Sequence, residues 1–305
     1  MKLKRRQFLF LASLSTITST CVGKVFSRQT VPSANIVTSD TKIAANPLKK
    51  DLLLRFVSVA DTGTGAKGQY DVAKAMTAYH KEKPYDLVVL AGDNIYNNGE
   101  IEKINAVFER PYAPLLKKNV KFQACLGNHD IRTANGDPQV KYRGFNMKGR
   151  YYTFRRNNVQ FFALDTNGNA DWEKQLIWLD KELSRSNAPW KIVFGHHPIY
   201  ASGHYGSNPA FIKTFTPIFE KHGVQLYING HEHHYERTRS INGTTYLICG
   251  AGAGNRPVGK NEWTEYSTEN LSFAAYEVYV DRIEVSGIGT DNRVFDKGVI
   301  QLKSA

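Results

Sequence analysis

Five apolar runs in this chain each end in a polar cluster with a glycine in it or beside it. Asp61-Thr62-Gly63 follows Leu53 to Ala60, and Gly92-Asp93-Asn94-Ile95-Tyr96 follows Asp86 to Leu90. Gly127-Asn128-His129-Asp130 follows Val120 to Leu126, while Gly195-His196-His197-Pro198 and Gly230-His231-Glu232-His233 close two later runs. Of the 9 histidines, only His80 and His222 stand within helical stretches. His129, His196, His197, His204, His231, His233 and His234 fall in these clusters or just after them. A lone histidine is ordinarily structural, but histidines gathered with aspartate, asparagine and tyrosine at strand ends form a donor set for metal. Asp61, Asp93, Tyr96, Asn128, His196, His231 and His233 are more donors than one ion needs. They suit two ions sharing a carboxylate, for which Asp93 is the natural bridge because its tight turn also presents Tyr96. Carboxylate and phenolate oxygens favour a hard ion of high charge, and imidazoles suit divalent Zn, Fe or Mn. His231 and His233 are two apart, so in an extended segment their side chains share a face and one can reach each ion.

The elements that must position these donors alternate strand and helix over the first half. The three apolar runs before Asp61, Asp93 and Asn128 are separated by a helix at Asp71 to Lys83, with Val72, Ala75, Met76 and Tyr79 on one side, and by a helical stretch from Glu100 to Phe108 that Pro111 and Pro114 interrupt. Such spacing is the pattern of βαβ units, whose ligands sit at the carboxyl ends of strands, so the clusters should converge on one crest. Glycines there permit tight turns and close backbone approach. Tyr151 to Arg156 and Val159 to Asp165 flank Asn157-Asn158 as a hairpin, and Asn242-Gly243 before Thr244 to Cys249 is a stronger hairpin signal. Helices at Asp171 to Ser184 and near Phe211 to His222 alternate with strands at Trp190 to Gly195 and Val224 to Ile228. After Ser272 the residues alternate as antiparallel strands. An α/β domain of two packed mixed β-sheets flanked by helices accommodates this order.

Composition bounds the function. The 305 residues carry 40 Lys+Arg against 28 Asp+Glu, a net +12, with 41% hydrophobic residues. A disordered chain, a collagen-like chain and a disulfide framework are excluded, the last because 3 cysteines cannot staple so long a chain. Residues 1 to 30 hold Lys2, Lys4, Arg5, Arg6, Lys24 and Arg28 and no acid, which is half of the net charge. A basic start followed by Phe8 to Val22, rich in Phe, Leu, Ser and Thr, reads as a cleavable export signal. Lys4-Arg5-Arg6-Gln7-Phe8-Leu9 resembles a bacterial twin-arginine leader, which implies an exported, periplasmic or extracellular protein. Cys21 is a weak match to a lipid-attachment site. Residues 31 to 50 read as a linker and 51 to 305 as the catalytic domain. The apolar stretch is too short and too rich in hydroxyls for a membrane span. Removal of the leader leaves about +6, a modest basic surface that gives no reason to invoke nucleic acid. Cys125 and Cys249 lie in strand-like runs and read as buried thiols, with a disulfide left open. Arg143, Lys148, Arg150, Arg155 and Arg156 read as a solvated charged face, and Cys249 to Gly254 as a glycine-rich loop bordering the site.

Asp61-x-Gly63, Gly92-Asp93-x-x-Tyr96, Gly127-Asn128-His129-Asp130, Val193-x-x-His196 and Gly230-His231-x-His233, in this order, resemble the five-block signature of the purple acid phosphatases, which belong to the calcineurin-like metallophosphoesterases. The absence of a large N-terminal module is similar to the small tartrate-resistant type. Gly63, where many relatives have histidine, and Tyr96 favour the purple branch. The resemblance implies a four-layer αββα sandwich and hydrolysis of phosphate monoesters on small phosphorylated substrates. It implies Fe(III) on Asp61, Tyr96 and His233, a divalent Fe, Zn or Mn on Asn128, His196 and His231, and Asp93 bridging. The metals would bind phosphoryl oxygens and supply hydroxide for in-line attack, with an acidic optimum.

His129 is the first choice for phosphate binding and for protonating the leaving alkoxide, and His204 the second. In the family the corresponding histidine lies nine residues after the His196-type ligand, whereas His204 lies eight after, as a one-residue loop deletion would explain. His197 would point away from the site on a strand and reads as structural; Asp130 would orient His129 by a hydrogen bond. His234 is expected either behind the ligands or facing solvent. Competing readings are a phosphodiesterase or nucleotidase on the same metals and a secreted metal-binding protein without turnover. The complete donor set and His129 oppose the second, since a dead site tolerates losses. A redox role for the iron pair is compatible with hydrolysis.

Overall fold

The computed structural model describes residues 51–302. The leader, the linker and Cys21 lie outside the described residues. In chain order the strands are β1 (Leu52–Val59), β2 (Leu87–Leu90), β3 (Lys121–Ala124), β4 (Tyr152–Arg156), β5 (Val159–Ala163), β6 (Trp190–Phe194) and β7 (Leu226–Asn229). They continue as β8 (Tyr235–Thr238), β9 (Thr245–Cys249), β10 (Thr264–Thr268), β11 (Ser272–Tyr279), β12 (Arg282–Gly289) and β13 (Val294–Gln301). The helices are α1 (Lys67–Glu82), α2 (Ala113–Leu116), α3 (Asp137–Lys141), α4 (Trp172–Arg185) and α5 (Pro209–His222).

The apolar runs are apolar throughout because both faces of their strands are covered. In β2, Leu87 and Val89 belong to the cluster between the sheets, while Val88 and Leu90 pack with Val72, Ala75 and Met76 of α1. In β6, Trp190, Ile192 and Phe194 face the other sheet, and Val193 packs with Leu179 and Leu183 of α4 and Phe215 and Phe219 of α5. Helix, sheet, sheet and helix therefore stack as four layers. One sheet runs β13-β12-β11-β1-β2-β3 and the other β10-β8-β9-β7-β6-β5-β4. Within them β1, β2 and β3 are parallel, as are β5, β6, β7 and β9, and the remaining pairs are antiparallel. Trp190, at the start of β6, donates from Nε1 to the Tyr279 carbonyl of β11 at 2.8 Å and so ties the sheets together at the end away from the polar clusters.

Local chemistry accounts for most boundaries. Asp171 caps α4 by accepting from the Lys174 amide, Asn208 caps α5 through the Phe211 amide, and Gly223 ends α5 with φ 62°. Asn242 and Gly243 both have positive φ, 49° and 92°, the requirement of a type I′ turn, and join β8 to β9. Two segments depart from the periodic reading. Helix α1 begins a turn before Asp71 because buried Gln69 reaches the Gly65 amide and the Val107 carbonyl. The stretch from Glu100 becomes a 3-10 turn at Ile101–Lys103 and a wide turn at Asn105–Glu109. Cys125 and Cys249 are free and buried, and burial pushes the Cys249 thiol up to about 12.

Candidate metal centre

Asp61, Asp93 and Asn128 follow three adjacent parallel strands of one sheet, and His196 and His231 follow two adjacent parallel strands of the other. The expected single crest is thus a seam between two sheet edges. The His231 amide donates to Asp61 Oδ2 at 2.9 Å across this seam, and His196 Nδ1 donates to the Ala91 carbonyl at 2.9 Å. The backbone turns sharply at three of the donors: Asp61, Asp93 and His231 have φ of 57°, 52° and 69°. Residues other than glycine rarely adopt such values, and they persist where surrounding structure imposes them at functional sites. Two glycines make room. A Cβ at Gly127 would overlap the Asp93 carboxylate, and one at Gly230 would overlap Asp61.

The donors separate into two sets that share Asp93. Tyr96 Oη lies 3.1 Å from Asp61 Oδ1, 2.9 Å from Asp93 Oδ2 and 3.2 Å from His233 Nε2. Asn128 Oδ1 lies 3.1 Å from His196 Nε2 and 2.9 Å from His231 Nδ1, and His196 Nε2 is 3.5 Å from Asp93 Oδ1. His231 and His233 do serve different sets, although their segment is not extended. Two tight turns, Glu232 N to the Gly230 carbonyl and His234 N to the Glu232 carbonyl, both at 2.8 Å, splay the rings apart.

Charge in the seam is unbalanced. The Asp61 and Asp93 side chains are 0% and 2% exposed, and among the described residues only histidines offer them a basic atom within 4.0 Å. Buried carboxylates need a cation. Burial alone would lower the His196 pKa, but Asp93 and Asp61 reverse this and raise it to about 10. Burial and the neighbouring His196 push His231 down to about 2. Burial and the two carboxylates hold the Tyr96 phenol far above its usual range, so its anion too requires a positive partner. Oxygen and imidazole donors with unmet negative charge fit metal ions.

Several supporting residues differ from the sequence reading. Asp130 does not touch His129. Its fully buried carboxylate accepts from the amides of Asn94 (2.9 Å), Ile95 (3.0 Å) and Gly127 (2.8 Å) and from the side chains of Asn94 and Gln139, clamping the Asp93 turn to the Asn128 turn. His129 is oriented instead by the Asn97 carbonyl, 2.6 Å from Nδ1. A carbonyl only accepts, so the proton sits on Nδ1, and Nε2 is 4.0 Å from Asp93 Oδ2. His197 does not turn away: β6 has ended at Phe194, strand alternation no longer applies, and its ring lies 4.5 Å from that of His231. Thr166 Oγ1 accepts from both the His196 and His197 amides and bonds His197 Nδ1. His234 is buried behind the ligands, 3.3 Å from Glu236. Arg150 pairs with Asp137 and buried Asp165 and so does not belong to a merely solvated face.

The residue nine positions after His196 is Tyr205, whose ring stacks on His231 with centroids 4.5 Å apart. His204 is exposed and packs edge-on against Tyr205. Glu232, buried between the two ligand histidines, accepts the amides of His204, Tyr205 and Gly206 and thereby fixes this loop. Sequence reasoning gave Glu232 and Tyr205 no role. A buried acid between two ligand histidines, and an aromatic at the family spacing, were the available signals.

Residues 54–235 match the family described as calcineurin-like phosphoesterase. The chain is similar to tartrate-resistant acid phosphatase type 5 of Sus scrofa, 27% identical over 73% of this chain and 75% of that protein. It is also similar to purple acid phosphatase 7 of Arabidopsis thaliana, 31% identical over 68% and 73%. Among solved structures, purple acid phosphatase PPD1 from yellow lupin seeds superposes with a TM-score of 0.70 at 19% identity, covering 81% of this chain and 53% of that one, a likeness of fold.

Proposed function

This chain belongs to the calcineurin-like phosphoesterase family, and from that premise we propose that it is a dinuclear-metal acid phosphatase acting on phosphate monoesters. The observation that carries the reading is the division of the donors into two sets sharing Asp93. Asp61, Tyr96 and His233, with their carboxylate and phenol oxygens, would hold Fe(III). Asn128, His196 and His231 would hold a divalent Fe, Zn or Mn. Bound there, the ions supply Lewis acidity for the phosphoryl oxygens and acidify the attacking water. The residues do the rest. Asp61, Asp93 and Asp130 are held by buried hydrogen bonds that keep the donors in place without reorganisation during the reaction.

His129 stands beside Asn128 with Nε2 3.3 Å from Arg132 Nη2, which donates to it, and 4.0 Å from Asp93 Oδ2; an Nε2 that takes up a proton and parts from Arg132 can donate to the leaving oxygen. His129→Gln is expected to lower kcat about a hundredfold for an alkyl phosphate and much less for 4-nitrophenyl phosphate, whose leaving group needs no proton. Equal losses for the two substrates would remove the acid role.

The leader supports export by the twin-arginine route. Among the described residues no helix is long and apolar enough to cross a membrane. Expressed with its own leader in a bacterium that has this pathway, the protein is expected outside the cytoplasm, violet from Tyr96 phenolate on Fe(III), with about two metals per chain and phosphatase activity in mild acid. A colourless, zinc-only, fully active protein would sink the iron assignment and spare the phosphatase one.

A further inference from the structure

The Gly250 to Gly254 loop leads to Arg256, whose amide donates to the His233 carbonyl at 2.8 Å and whose Nη1 donates to the His231 carbonyl at 3.2 Å. The guanidinium is thus tethered at His231, with its carbon 5.2 Å from the centre of the Tyr205 ring. Among the described residues no carboxylate lies within 4.0 Å of it. The other positions of its N–H fork are left for a ligand, and such a fork matches carboxylate or phosphate. A cavity of about 640 Å³ opens at this point, lined by Ser202, His204, Tyr205, Arg256, Pro257 and Val258. It offers one unpaired cation, a phenol ring 53% exposed, the His204 imidazole, the Ser202 hydroxyl and two small apolar side chains. Glu232 makes the arrangement rigid by holding the Tyr205 loop through three successive amides.

We propose that Tyr205 and Arg256 form a leaving-group subsite that selects phosphate monoesters whose alcohol part is flat and carries a second anion. The proposal rests on the phosphatase reading. Tyr205 stacks on His231, so a phosphoryl group bound at ions on the two donor sets would place its leaving group beside the tyrosine ring and toward the guanidinium. A planar body gains contact with the ring, and its anion gains a charge-assisted hydrogen bond on a partly desolvated cation. A neutral alcohol leaves Arg256 without that partner.

The test compares 4-carboxyphenyl phosphate with phenyl phosphate on the metal-loaded protein. The carboxylated ester is expected to have a kcat/KM about tenfold higher, mostly through KM. Arg256→Ala should cost the carboxylated ester about tenfold more than the phenyl ester, and Arg256→Lys should restore part of the difference, because it keeps the charge and loses the fork. Calorimetry with the non-hydrolysable 4-carboxyphenylphosphonate and phenylphosphonate should show the same ratio in Kd. Equal kcat/KM for the two esters, or equal losses in Arg256→Ala, overturns the subsite and leaves the phosphatase reading standing. Turnover of neither ester by protein holding two metals overturns the phosphatase reading. The phosphonate pair then decides the subsite alone: a tenfold difference in Kd keeps it, and equal affinities overturn it.

Discussion

Asp93→Asn is expected to lower kcat about a thousandfold, a loss of about 4 kcal/mol of transition-state stabilisation, and to reduce the metal content below two per chain. Asp93 reaches both donor sets, with Oδ2 2.9 Å from Tyr96 and Oδ1 3.5 Å from His196, closer to His196 than Asp61 at 4.0 Å. Oδ1 also accepts the His129 amide at 2.9 Å and so helps to place the proposed acid. Asparagine keeps the shape but removes the charge, and its NH2 must turn toward Tyr96 because toward the His129 amide it would oppose one donor with another. Metal analysis alongside steady-state kinetics checks this. Full metal content with lost activity would show that Asp93 contributes something other than a bridge.

Asp130→Ala is expected to destabilise the fold by about 3–5 kcal/mol, seen as a thermal midpoint about 10 °C lower, and to reduce activity as well. Among the described residues the carboxylate is the sole acceptor for the amides of Asn94, Ile95 and Gly127, all buried, and it also holds the Asn94 and Gln139 side chains. Alanine orphans these donors and leaves a cavity, and each unsatisfied buried donor costs about 1–3 kcal/mol. Since the same amides set the turns bearing Asp93 and Asn128, the donors loosen with the fold. Thermal unfolding and activity at a temperature where the variant remains folded separate the two effects. A midpoint shift of less than about 2 °C would mean that water or another side chain replaces the carboxylate.

Much of the candidate site was legible because its signals are local. An apolar run covered on both sides, then glycine, then a donor, announces a buried strand and the turn at its end, and five such units name all seven donors. The Asn242-Gly243 turn and the capping of α4 and α5 by Asp171 and Asn208 are equally local. Where a reading relied on strand geometry beyond the strand it failed. His197 was placed on the far side by an alternation that stops at Phe194, and His231 and His233 diverge through bends where an extended segment was assumed. Asp130 was assigned to its sequence neighbour, yet its donors lie at Asn94, Ile95 and Gln139 as well as Gly127.

The amino-acid sequence by itself determined most of the strand and helix order, the candidate donors, the basic composition of residues 1 to 30 and the family resemblance, because periodicity, turn chemistry and residue type act within a few positions. Only the tertiary structure decided that three donor turns belong to one sheet and two to the other, that Asp93 stands between the two donor sets, and that Tyr205 and Arg256 meet beside His231. Those relations join residues far apart in the chain. They follow from how two twisted sheets pack and from which buried charges must then be satisfied, and no short-range pattern encodes either.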